Sequence, residues 1–137
     1  MQFLLQKGRV AARCTLVSGS FFDAVPTGAD AYLLKSILHN WDDGQCVAIL
    51  GNCRRAMGDD ARLLLIERVM PARMGSGAAD RAIARSDLNM LVGLSGRERT
   101  VEQLRGLLDA AGFELRERRP VWREFSLLEA VPRLSGG

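Results

Sequence analysis

The stretch "AYLLKSIL", residues 31–38, constrains the fold of this chain more than any other. It is too continuously apolar for a strand with one wet face, and it breaks directly into "HNWDDG". That pattern predicts a strand buried on both sides, of the kind found in parallel sheets, followed by a loop and then a helix. Asp42, with Gln45 three residues on, marks the helix start as a capping box with Asp in the usual Ser/Thr place. In "DDGQCVAILGNCRRAM", Cys46, Ile49, Leu50, Cys53 and Met57 fall at offsets of 0, 3, 4, 7 and 11, so one helical face is apolar while Arg54 and Arg55 take the other. His39 to Trp41 must then lie in the loop joining strand to helix.

The rest of the chain extends the same alternation. A first short strand is expected over 14–17 and a loop at "PTGAD". "ARLLLIERVMP" reads as a second buried strand, from Arg62 to about Glu67 and broken at Pro71. "ARMGSGAAD" is a loop, and "RAIARSDLNMLVG" a helix lying across the site. "TVEQLRGLLDAAGF" carries a capping box in Thr100 and Gln103, an apolar stripe of Val101, Leu104 and Leu108, and a stop at Gly112. Two strands, "FELRERRPV" and "EFSLLEAV", close the sequence. The order predicts one α/β domain with a mostly parallel sheet. In such sheets ligands bind beyond the carboxyl ends of the strands, which directs attention to His39 and Glu67.

Composition excludes several classes. A chain of 137 residues suits one domain with a real core, and 47% hydrophobic with 26% charged residues is ordinary for a globular protein. The net charge of +3 comes almost wholly from arginine, scattered beside Asp and Glu rather than clustered or interleaved with aromatics, so nucleic acid is not an expected partner. No apolar run approaches the roughly 18 residues that span a bilayer, so no membrane association is expected. Cys14, Cys46 and Cys53 are odd in number and form no CxxC pair, which predicts neither disulfides nor a metal site and fits a reducing, cytoplasmic setting.

His39 is the chain's single histidine, and its ordinary pKa near neutrality suits it to take a proton from a hydroxyl. Glu67, ending the adjacent strand, could accept the other ring N–H, fix the tautomer and steady the imidazolium. Glu98, in "SGRERT", is a second candidate for that role. Position alone leaves the bland readings open: His39 as a surface or capping residue, Glu67 solvated, Glu98 paired with Arg97 or Arg99, Trp41 in the core.

Taken together, "AYLLKSILHNWDD", "NCRRAM", "RLLLIERVMP", "DLNMLVGLSGRERT" and "LLDAAGFEL" resemble, in order and spacing, the S-adenosylmethionine-dependent O-methyltransferases of the caffeic acid and hydroxyneurosporene type, which include polyketide-tailoring enzymes of secondary metabolism. The resemblance covers about 13–132 and implies a partial Rossmann-like class I methyltransferase sheet lacking its first two strands. It implies that His39 deprotonates a phenolic or polyketide-like hydroxyl while Glu67 and Glu98 flank and orient it. It places Ser20, Phe21 and Lys35 near S-adenosylmethionine, and Met90 and Asn89 at the acceptor pocket.

The departures from the family pattern carry expectations of their own. "GSF" stands where the family has Gly-Asp-Phe/Met, so Ser20 brings a hydroxyl but no charge to the adenine, and Asn40 stands where many members have Asp. The family's N-terminal dimerisation domain and Gly-rich cofactor loop have no counterpart in these residues. The expectation is a C-terminal part of a catalytic domain, with an exposed or rearranged edge at residues 31–36, that forms a homodimer or pairs with a missing N-terminal half. The alternative is a non-catalytic remnant or one half of a split enzyme.

Overall fold

A computed structural model describes residues 11–72, 77–78, 80–85, 88 and 96–135. The strands are β1 (Ala31–Lys35), β2 (Arg62–Met70), the short β3 (Arg99–Thr100), β4 (Phe113–Trp122) and β5 (Phe125–Pro132), and the helices are α1 (Asp43–Ala56) and α2 (Val101–Ala110). The sheet runs β1-β2-β5-β4, with β3 pairing the end of β2. β1 and β2 are parallel, Ala31 opposite Arg62 through Lys35 opposite Ile66. A connection through α1 joins them, as a parallel pair requires.

The α/β class therefore holds, with the expected partial sheet, but the sheet is mixed rather than mostly parallel. β5 runs antiparallel to both β2 and β4. Only Arg123 and Glu124 separate β4 from β5, and two residues can return the chain only as a hairpin. Arg123 takes the positive φ of 49° that such a tight turn needs.

Both capping boxes form. The Asp42 carboxylate accepts from the Gln45 N–H at 2.8 Å and the Gln45 side chain accepts from the Asp42 N–H at 3.2 Å; Thr100 and Gln103 repeat the exchange at the start of α2. Each cap is worth about 1 kcal/mol. Gly112 ends α2 with a φ of 88°, as its place in the sequence predicts.

Burial is one-sided. Leu63, Leu65, Glu67 and Val69 alternate as the buried face of β2, and both helices contribute to the same core, with Cys46, Leu50 and Cys53 from α1 meeting Leu104, Leu107 and Leu108 from α2. The strands are thus not buried on both sides: in β1 Tyr32 is buried while Leu33 is 58% exposed. β1 ends the sheet, and among the described residues no strand lies along its outer side. This matches the expected exposed edge.

Residues 14–17 correct the expectation of a first strand. They have no regular structure and are exposed, Val17 by 68%; a ladder needs a partner, and they find none. β2, in turn, runs past Glu67 to Met70, because β5 and β3 supply partners there. Of the helix expected over "RAIARSDLNMLVG", residues 81–85 and 88 are helical and the remainder falls outside the described residues.

Candidate active site

The site lies where β1 and β2 end. After Lys35 the chain turns through Ser36, whose φ of 54° is unusual for a residue with a side chain, and whose N–H still donates to Ile66 O at 2.9 Å. A single 3₁₀ turn, Leu38–Asn40, then carries His39. Its N-cap, Ile37, offers no side-chain cap, so the turn is held from outside.

Glu67 and Glu98, both 2% exposed, do much of that holding. One Glu67 oxygen accepts from the Ile37 and Leu38 N–H groups at 3.1 and 2.9 Å. The His39 Nδ1 lies 3.3 Å from a Glu98 oxygen. The three residues that the sequence singles out do lie together, within 4.8 Å of one another by one polar atom each, but their contacts differ from the expected ones. Glu98 is the direct imidazole partner, while Glu67 fastens the backbone of the turn and adds charge.

The electrostatics follow from burial and contact. The bond to Glu98 raises the His39 pKa above its usual value; burial opposes this, and the charges of Glu67 and Glu98 with the Ser36 carbonyl outweigh it. Burial pushes Glu67 up to about 7, against the His39 charge and the two backbone N–H donors. His39 and Glu67 therefore both hold a proton more readily than they would in water. Burial lifts Cys46 and Cys53 to about 11, so both are packing residues with inert thiols.

Two site residues escaped the sequence reading. Gly96 lies against the His39 turn so closely that an added Cβ would come within 1.9 Å of the His39 carbonyl oxygen and 2.7 Å of the Asn40 carbonyl carbon. Only glycine permits that approach. Arg99 is 2% exposed, and with Arg97 it pairs with Asp43 rather than with Glu98. The glycine and the arginine stood in "SGRERT" as signals, but an Arg beside a Glu reads equally as a surface pair.

The residues expected at the cofactor divide. Ser20 and Phe21 line a cavity of about 570 Å³ with Val17, Tyr32, Leu34 and Cys53. The Phe21 carbonyl accepts from Asn52 Nδ2 at 2.8 Å, and Phe21 and Phe22 meet Trp41 edge-on at 6.2 and 4.8 Å. The Ser20 Oγ accepts from the Phe22 N–H at 3.2 Å. Lys35 is not part of that lining; its Nζ lies 5.2 Å from the centre of the Phe125 ring. Met90 and Asn89 lie outside the described residues.

A strand-end histidine held by two buried carboxylates on this sheet can now be compared with known proteins. The model of the O-methyltransferase domain matches residues 2–114. The chain belongs to the O-methyltransferase domain family. It is 43% identical over 130 residues to O-demethylpuromycin-O-methyltransferase of Streptomyces alboniger, an alignment covering 93% of this chain and 34% of that protein. Among solved structures, this member of the family superposes on LaPhzM with a TM-score of 0.87 at 38% identity, over 95% of this chain and 38% of the other. It also superposes on NcsB1, an O-methyltransferase from neocarzinostatin biosynthesis solved with S-adenosylmethionine and 2-hydroxy-5-methyl naphthoic acid, with a TM-score of 0.80 at 35% identity, over 96% and 36%. The chain thus spans about a third of the length of the relatives it matches. No helix of the described residues is long and apolar enough to cross a membrane.

Proposed function

We propose that this chain carries the base of a site for S-adenosylmethionine-dependent O-methylation of a phenolic or polyketide-like small molecule, with His39 as the proton acceptor. The observation that carries the reading is the bond of His39 Nδ1 to buried Glu98 at the mouth of a family sheet. With Nδ1 so engaged, Nε2 is the nitrogen left to face an acceptor hydroxyl. The O–H proton passes to Nε2, the electron pair stays on oxygen as the nucleophile, and Glu98 steadies the imidazolium. A phenol with a pKa near 10 needs this help at neutral pH. Glu67 acts beneath, by fixing the turn through two backbone N–H groups.

The lining of the 570 Å³ cavity fits the adenosyl part of the cofactor: apolar walls, the Phe21 ring and the Ser20 hydroxyl suit a purine, and Asp23 can meet sugar hydroxyls. Among the described residues that lining contains no cation for the amino-acid carboxylate; Lys35 directly follows Leu34 in the chain and Arg54 directly follows Cys53. When bound, S-adenosylmethionine supplies an electrophilic methyl group. Met90 and Asn89 are proposed to line the acceptor pocket, on the family resemblance. A hydroxylated naphthoic acid, of the kind bound by NcsB1, is the acceptor class to try first. The bare outer side of β1 supports pairing with a second copy or with further strands of the family sheet. The free cysteines fit a cytoplasmic setting.

Calorimetric titration with S-adenosylmethionine, combined with a methyl-transfer assay, tests the reading. His39→Ala should leave cofactor affinity nearly unchanged while transfer falls by roughly 10²–10⁴, the range typical of lost general-base catalysis. Loss of binding and transfer together would make His39 structural and defeat the proposal.

A further inference from the structure

Arg99 makes a set of contacts that the proton transfer does not use. Its Nη1 donates to the Leu38 carbonyl at 2.9 Å and its Nη2 to the Trp41 carbonyl at 2.8 Å. Nε and Nη2 both reach one oxygen of Asp43, the first residue of α1, at 3.0 and 2.9 Å. These acceptors bracket His39, one residue before it and two and four after. The same short segment, residues 96–100, brings Gly96 onto the His39 carbonyl and Glu98 onto the His39 ring.

We propose that Arg99, anchored by Asp43, is a positioning residue that clamps the His39 turn to the start of α1 so that the imidazole stays against Glu98. Glu67 fixes the N–H groups that enter the turn, but among the described side chains the Leu38 and Trp41 carbonyls otherwise meet only the weak thiol donor of Cys46, at 3.2 and 3.6 Å. A guanidinium suits the task because its planar fork reaches two carbonyls and a carboxylate at once, whereas an ammonium on a flexible stem does not hold that geometry. The inference rests on the reading of His39 as the base and names what keeps that base in register.

Charge and position make opposite predictions here, which allows a sharp test. The charged groups around the crevice at His39 are Glu67, Arg68, Arg97, Glu98 and Arg99. Deleting a positive charge from this set would raise the pKa of His39, while letting the ring drift from Glu98 would lower it. Arg99→Lys keeps the charge and loses the fork.

His39 is the only histidine, so its ring protons report its titration by NMR without ambiguity. In Arg99→Lys the His39 pKa should fall by several tenths of a unit, and in a Glu98→Gln background the same substitution should add no further fall. An unchanged pKa in Arg99→Lys, or an equal fall in both backgrounds, would overturn the clamp. Should Arg99→Lys not fold by circular dichroism, Asp43→Asn in the two backgrounds replaces it, since Asp43 has a side chain 54% exposed. For that variant the part of the fall that disappears with Glu98→Gln supports the clamp, and a fall that persists in full overturns it. The ring titration needs neither cofactor nor acceptor. Normal transfer by His39→Ala would therefore defeat the base reading alone, and an unmoved ring titration the clamp alone.

Discussion

At the scale of single residues, Glu67 ties stability to pH. Its folded pKa, pushed up to about 7 by burial, lies above the unfolded value, so the folded state binds its proton more tightly. The stability this contributes is fully present below the unfolded pKa, near 4.3, and is lost as pH rises through about 7. His39, also raised, adds a loss in the same direction above its own unfolded value, near 6.5. Glu67→Gln keeps an oxygen for the Ile37 and Leu38 N–H groups but cannot ionise. Urea unfolding at pH 5 and pH 8 should show the variant gaining on the natural chain at pH 8 by on the order of 2 kcal/mol. Equal pH dependence in the two proteins would mean that burial does not hold the Glu67 proton. His39 stood out in the sequence because its place just beyond β1 follows from local pattern, whereas Glu67 was expected at the end of β2 and lies three residues inside it. Their division of labour was not legible, because it depends on how a segment some 60 residues later in the chain approaches the turn.

At the scale of elements, what was legible is what is local. Both capping boxes, the apolar stripe of α2 and the stop at Gly112 form from residues within a few positions of one another, and each is found where its spacing puts it. The two closing strands stand where the sequence places them, but the mostly parallel sheet expected there is overturned by the short connection, since two residues between strands allow only an antiparallel hairpin. Residues 14–17 mislead for the opposite reason: apolar character favours a strand, but hydrogen-bonding partners make one, and those are tertiary. The two-residue β3 carries no sequence signal of its own. It exists because Val69 and Met70 extend β2 far enough to receive Arg99 and Thr100, which brings Glu98 and Arg99 to the His39 turn. Continuous apolar runs placed β1 and the body of β2 but not their one-sided burial, since periodicity cannot say which helices cover a face.

At the scale of the whole molecule, the outer side of β1, along which no described strand lies, and the exposed Leu33 make an edge that invites another strand. Sedimentation should show concentration-dependent association of this chain, weakened in Leu33→Lys; a monomer at all concentrations would show that the edge is protected without a partner. Among the described residues, the candidate site brings together His39, Glu67, Glu98, Gly96 and Arg99. The most direct test of its role is methyl transfer to hydroxylated aromatics of graded acidity. With an acceptor of pKa near 10, His39→Ala should lower the rate by roughly 10²–10⁴, and with one already ionised at the assay pH the loss should nearly vanish, because no proton remains to be taken. An equal loss for both acceptors would contradict His39 as the base.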